Sequence, residues 1–253
     1  MLKEKGILFD VTLCVGCGAC SEACKETNNL AQTNKDFLKD HLSENTFTVV
    51  EQYGELFTRK LCMHCNEPAC VSVCLVGAIT KSPTGSVVYD ADKCIGCRYC
   101  MQACPHHIPR YEWSTTQPRI RKCNLCTDRV KDGKLTACAE ACPTEATLFG
   151  DMDQLIAIAK KRMKDHPERY YQHIYGLEEA GGGHVLILSP VPFEQLGYTA
   201  KLPSESMPEF TMRAMEKIPS VVVGGGVFLT GMYWLTKRKN QIAKDEKNNN
   251  KRN

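Results

Sequence analysis

Apolar residues along this chain come in short runs broken by glycine, proline and charge, and one run near the C-terminus is far longer than the rest. Ile7-Leu8-Phe9, followed by Asp10, reads as a short strand. Thr46 to Tyr53 and Leu56 to Leu61 are rich in β-formers and part at Gly54, which predicts a hairpin. Short strands are also expected at Ala78-Ile79 and at Val87-Val88-Tyr89, with Ser82-Pro83-Thr84-Gly85 as the turn between them. From Asp151 to Lys164 the spacing changes. Leu155, Ile156, Ile158, Ala159 and Met163 share a rough helical face, Asp151 can cap it and Pro167 marks its end. Gly181-Gly182-Gly183-His184 then reads as a flexible approach to a buried strand, Val185 to Leu188. It is not a nucleotide loop, because the G-x-G-x-x-G order and the preceding strand are missing. Pro190, Pro192, Pro203 and Pro208 make residues 190–210 an expected linker.

The long run is Ile218 to Leu235, eighteen residues without a charge, flanked by Lys217 and by Lys237-Arg238-Lys239. As a helix it would span roughly 27 Å, close to the hydrocarbon thickness of a bilayer. Its place at the chain end, the linker before it and Tyr233-Trp234 beside the basic flank favour a membrane anchor over a buried core helix. Gly224-Gly225-Gly226 would allow a partner helix to come close.

Charge changes the picture in one respect. The formal net charge is +3, but from Lys237 to Asn253 seven Lys or Arg face two Asp or Glu, a local +5, which leaves −2 for the remainder. The basic balance therefore belongs to a tail and not to a nucleic-acid-binding face. Basic residues just after the span predict a cytoplasmic tail, hence a periplasmic main domain in a bacterium. Met1 to Leu8 is too short and too charged for a secretory leader and holds no twin-arginine pair. Export in company with a partner that carries the signal is the expectation, and a cytoplasmic main domain is the alternative.

The chemistry lies in sixteen Cys, which fall into four sets with none left over. Cys94, Cys97, Cys100 and Cys104, followed by Pro105, have the two-two-three spacing that holds [4Fe–4S] clusters, with the fourth Cys serving a neighbouring cluster. Cys14, Cys17, Cys20 and Cys24 repeat that spacing. Cys62, Cys65, Cys70 and Cys74 have a longer second gap, and Cys123, Cys126, Cys138 and Cys142 a much longer one. Disulfides would not need such crowded runs. The last set alone resembles a zinc ribbon, but the first and third do not.

Between Cys74 and Cys94 the chain has the internal layout of a two-cluster ferredoxin, which joins the second and third sets. Cys62, Cys65, Cys70 and Cys104 would hold one cluster, and Cys74, Cys94, Cys97 and Cys100 its neighbour. The fourth set is followed, and the first preceded, by matching strands. Nested pairing then gives Cys14, Cys17, Cys20 with Cys142, and Cys24 with Cys123, Cys126 and Cys138. The rival arrangement pairs the first set with the second and the third with the fourth. His64, His106 and His107 are expected to shape packing or hydrogen bonds and not to ligate. Arg98, Arg121 and Lys122 are either potential-tuning cations or solvated charges. No residue stands out as a catalyst of bond chemistry.

Leu61-Cys-Met-His-Cys65, Pro68-Ala-Cys70-Val-Ser-Val-Cys74, the Cys94–Pro105 stretch, and Ile174-Tyr-Gly with Gly181 to Leu188 resemble the iron–sulfur (beta) subunits of membrane-bound respiratory hydrogenases and formate dehydrogenases. The resemblance covers nearly the whole chain. It implies the nested pairing and a non-catalytic electron-transfer role between a nickel–iron or molybdopterin subunit and a quinone-reactive, often cytochrome b, membrane subunit. Relatives of nitrate-reductase type replace one Cys by Trp at a [3Fe–4S] centre; with all sixteen present, four [4Fe–4S] clusters are expected. The expected fold is α+β: two ferredoxin-like double-cluster units within residues 1–150, the inner one about 57–110. A helix, strand and linker extension would follow over 151–210, a transmembrane helix over 211–236 and a basic tail over 237–253.

Overall fold

The computed structural model describes residues 3–34, 36–116, 118–199 and 201–249, so Met1, Leu2 and the last residues of the basic tail lie outside the described residues. In chain order the elements are β1 (Lys5–Asp10), α1 (Ala19–Thr27), β2 (Val49–Tyr53), β3 (Leu56–Lys60), α2 (Ala69–Ser72), β4 (Ile79–Lys81), β5 (Val87–Tyr89), α3 (Tyr99–Ala103), β6 (Arg110–Tyr111), β7 (Ile120–Arg121), α4 (Thr127–Lys131), α5 (Ala137–Glu140), β8 (Thr147–Asp151), α6 (Met152–Asp165), β9 (Val185–Leu188) and α7 (Met207–Asn249). They fall into two compact units, Met1–Pro208 and Glu209–Asn253.

In the first unit β1 is the centre of a three-stranded sheet, antiparallel to β8 and parallel to β9. Alternation along a strand sends successive side chains to opposite faces. Ile7, Phe9, Val185 and Ile187 therefore meet Leu61, Met63, Leu125, Tyr175 and Phe193 on the cysteine-bearing side. Leu8, Leu186 and Leu188 meet Leu155 and Ala159 of α6 on the other. Both faces are covered, so β9 is apolar at every position and fully buried. Each such side chain contributes about 1.5–3 kcal/mol by leaving water.

The ferredoxin-like plan occurs twice. In one unit β4 follows Cys74, β5 precedes Cys94, the strands pair antiparallel and α2 packs on α3. In the other β8 follows Cys142, β1 precedes Cys14, the strands again pair antiparallel and α1 packs on α5. The match extends to the turns. Asp90 N donates to Ala78 O at 2.7 Å and Asp10 N to Ala146 O at 2.8 Å. Each Asp side chain then accepts from the backbone N two residues on, at 3.0 Å in both. The hairpin β2–β3 turns at Gly54, as its sequence predicts.

Three local expectations differ from what forms. Asp151 precedes α6 but does not cap it with its side chain, because the β1–β8 register sets it opposite Lys5, with which it pairs. Gly181 to Gly183 form a fixed approach: Asn66 N donates to Gly182 O and Gly183 N to Gly176 O, at 2.9 and 2.8 Å. The proline-rich stretch is strapped down as well. Phe193 and Leu196 are buried, and Tyr198 Oη donates to Arg59 O at 2.8 Å. Prolines marked irregular backbone there, while the aromatic rings supplied the burial that holds it.

Gly176 has φ +89°, and a Cβ on it would sit 2.1 Å from Val185 O. Gly176→Ala should destabilise the first unit by about 2–5 kcal/mol, adding left-handed strain to an overlap that moves the β9 backbone. Thermal unfolding of the anaerobically prepared protein checks this; an unchanged midpoint would contradict the packing described.

In the second unit, α7 is longer than the uncharged run because good helix formers continue it on both sides. It is long and apolar enough to cross a membrane and fits an anchor. Pro219 lies inside it, and Thr230 and Thr236 return their hydroxyls to the carbonyls of Gly226 and Met232, at 2.8 Å each. Lys237 and Arg238 lie over the rings of Tyr233 and Trp234, the aromatic and basic combination of a membrane–water boundary.

Candidate cluster-binding site

Each cysteine set is built alike. The first two Cys lie in a loop or at its exit; the third lies on a short helix, α1, α2, α3 or α5, and the fourth follows four residues later, on or just past that helix. The residue before the second Cys is left-handed in all four sets: Gly16 (φ 66°), His64 (47°), Gly96 (70°) and Leu125 (57°). That turn aims backbone N–H at the first sulfur, as in Gly96 N to Cys94 Sγ at 3.4 Å and Leu125 N to Cys123 Sγ at 3.3 Å. His64 and Leu125 hold a conformation that side chains avoid, a strain that concentrates at functional sites.

The fourth Cys of each set also receives a donor from four residues on. Ala78 N reaches Cys74 Sγ at 3.2 Å, and the backbone N–H groups of Ile108 and Ala146 serve Cys104 and Cys142. In the first set the donor is the side chain of Asn28, 3.6 Å from Cys24 Sγ. Such N–H···S bonds stabilise thiolates and help set cluster potentials.

The thiols gather in fours. Cys14 has Cys142 and Cys17 as neighbours, and Cys20 has Cys138 as well as Cys14 and Cys142. Cys24 has Cys138 and Cys126. Cys65 is surrounded by Cys62, Cys104 and Cys70, and Cys100 by Cys94, Cys97 and Cys74. Cavities lie among them. One is lined by Cys24, Cys123, Cys126 and Cys138, and one by Cys74, Cys94, Cys97 and Cys100. Burial, then crowding by other thiols, pushes Cys100 up to about 11 and Cys24 and Cys70 up to about 12. Cys142 goes the other way: burial opposes ionisation, but donors from Thr147, Thr144 and Ala146 outweigh it.

None of the sixteen Cys forms a disulfide. Among the described residues no three His, Cys, Asp or Glu converge as a single ion requires. A cubane takes each thiolate at a separate iron, so its ligands stand further apart than the donors of one ion. Four crowded, mutually repelling thiols around a cavity fit such a cationic centre.

His64 accepts from Val87 N at 2.9 Å through Nδ1 while its carbonyl faces His184 Nδ1 at 2.7 Å, a packing role. His106 stacks edge-on against Tyr175. The backbone N–H groups of His106 and His107 support Cys104. Arg98 lies over Tyr111 and Trp113, and Arg121 pairs with Glu112 at 2.5 Å. Lys122 is different: it is buried, with Nζ on the carbonyls of Val87 and Cys123, and its charge acts on Cys70.

Arg59 and Asn28 escaped the sequence reading. Arg59 is fully buried, and although burial opposes its charge, the thiols of Cys138, Cys20 and Cys123 hold it more firmly protonated than usual. In Leu56-Phe-Thr-Arg-Lys60 nothing separates it from a solvated strand charge. Asn28, four residues past Cys24, could have been found only by comparing donor positions across the four sets.

Residues 54–152 match the model of a 4Fe-4S dicluster domain and residues 14–27 that of a 4Fe-4S binding domain. A protein of Nitratidesulfovibrio vulgaris is 42% identical over 95% of this chain and 69% of its own length. The hydrogenase-2 operon protein HybA of Escherichia coli O157:H7 is 38% identical over 76% of this chain and 71% of its own. The iron–sulfur subunit of the nitrate-inducible formate dehydrogenase of Escherichia coli K12 is 36% identical over 72% and 67%. The cofactors are [4Fe–4S] clusters, and sixteen Cys make the complement for four. The chain belongs to the iron–sulfur subunit family of hydrogenases and formate dehydrogenases, whose members carry electrons for an oxidoreductase and do not catalyse alone.

Proposed function

We propose that the chain relays electrons through four [4Fe–4S] clusters between a catalytic subunit and an integral membrane subunit that reacts with quinone or carries cytochrome b. The names of the relatives point to a hydrogenase or a formate dehydrogenase as the catalytic partner, and the sequence resemblance implies the nickel–iron or molybdopterin type. The ligand sets are Cys14, Cys17, Cys20, Cys142; Cys24, Cys123, Cys126, Cys138; Cys62, Cys65, Cys70, Cys104; and Cys74, Cys94, Cys97, Cys100.

One observation carries the reading. The sets adjoin in that order, through Cys20 and Cys138, Cys123 and Cys62, and Cys70 and Cys100. Only the two end sets contain an exposed Cys, Cys17 and Cys97. When bound, the clusters supply one-electron redox capacity. The chain's residues fix their order, keep water from the inner two and open the line at both ends. Val15 near Cys17, Leu75 beside Cys74, and Ile95 and Tyr99 near Cys97 are exposed apolar side chains of the kind that subunits cover.

The reading divides the chain into cluster units over 1–150 with 57–110 nested, an extension over 151–210, an anchor over 211–236 and a tail from 237. The charge after the span supports a bacterial inner-membrane location with the tail in the cytoplasm and the clusters on the periplasmic side. The alternative leaves the clusters in the cytoplasm. Affinity isolation of the full chain from membranes, followed by metal analysis, tests the partnership. Nickel, molybdenum or tungsten beside the chain supports it. Their absence, together with clusters that cannot be reduced, would leave an assembly or interaction protein instead.

A further inference from the structure

Arg59 lies on β3 with 1% of its surface exposed. Its Nε donates to Thr48 Oγ1 at 2.8 Å and its Nη1 to Thr147 Oγ1 at 3.0 Å, and both threonines are themselves buried. Among the described residues no carboxylate pairs with it. A guanidinium taken out of water costs several kcal/mol unless opposite charge meets it. Here the opposite charge is sulfur. Arg59 lines the cavity enclosed by Cys24, Cys123, Cys126 and Cys138. Its charge acts on Cys24 and Cys126 in that set, and on Cys14 and Cys20 in the neighbouring one. For Cys70, in the other double unit, the acting cation is Lys122.

We propose that Arg59 is a built-in potential-setting residue: its fixed charge raises the reduction potential of the cluster held by Cys24, Cys123, Cys126 and Cys138, and by a smaller amount that of the cluster held by Cys14, Cys17, Cys20 and Cys142. The proposal rests on the ligand sets given above. Reduction adds one negative charge to a cluster. A cation fixed in a dry interior stabilises the reduced form more than the oxidised one, and far more than a solvated cation would. Arginine suits the task because it stays charged at any accessible pH and its planar fork can be held at several points. The two threonine hydroxyls hold that fork from β8 and from the bend just before β2. The charge is therefore fixed by structure and not switched by protonation.

The test is an EPR-monitored redox titration of the anaerobically isolated complex carrying Arg59→Met or Arg59→Lys. The signal altered by Cys126→Ala identifies the inner cluster. In Arg59→Met its midpoint should shift down, that of the Cys14 set should shift less, and the other two should stay in place. Arg59→Lys, which keeps the charge while changing the hydrogen bonds, should hold the inner midpoint close to that of the unmutated protein. Four unmoved midpoints in Arg59→Met, an equal fall in all four, or an Arg59→Lys shift as large as that of Arg59→Met would overturn the proposal. Should Arg59→Met assemble without the inner cluster, Arg59→Lys alone decides: a retained midpoint supports the proposal and a fall overturns it. Iron analysis of the unmutated chain tells this failure apart from that of the relay itself, since a chain without reducible clusters would overturn both.

Discussion

Cys126→Ala should lose up to about four of about sixteen irons and cut the line between its two ends. Cys126 lies at the N-terminus of α4 with φ 47° and lines the inner cavity together with Arg59. Alanine there removes one of four anchors and supplies no other donor. The two end sets and the Cys62 set keep all their sulfurs, so three of the four EPR signals should remain. In the assembled complex, the catalytic partner should still reduce an artificial one-electron dye, while electron delivery to quinone falls to background. Loss of both activities would mean that the inner set is needed for folding and not for conduction. Loss of neither would mean that the line does not pass through it.

The second large effect concerns α7. Val223→Arg with Val227→Arg puts two charges one turn apart in the uncharged run, where each Arg costs about 2.5–3.5 kcal/mol on the insertion scale. Together they should move most of the chain from the membrane fraction into a form extractable without detergent. Ile242→Arg, beyond the basic flank, should leave it in the membrane. Fractionation followed by immunoblotting reads both. A double variant that stays in the membrane would show that docking to another subunit, and not α7, does the anchoring.

Much of this was legible because the informative residues carry their own spacing. Sixteen Cys in complete sets announce clusters wherever the rest of the chain goes, and an uncharged run of eighteen residues announces its own length. Short strands beside the Cys sets were readable because β4 with β5, and β8 with β1, are two copies of one plan written beside the cysteines. What escaped depends on contacts distant in sequence. Arg59 becomes exceptional only when Thr147, eighty-eight residues away, takes its Nη1. The glycines before His184 look flexible until Met63 and Asn66 close on them. His64 and Leu125 take a left-handed turn that sequence assigns to glycine, and at Leu125 that turn lets the backbone N–H reach Cys123 Sγ.

The central claim is a line of four clusters held by four cysteine quartets. Iron and zinc analysis with an EPR-monitored redox titration of the anaerobically purified full chain tests it most directly. The account predicts about sixteen irons per polypeptide, no zinc and four distinct one-electron couples. Zinc in place of iron, or irons for fewer than four clusters, would contradict it.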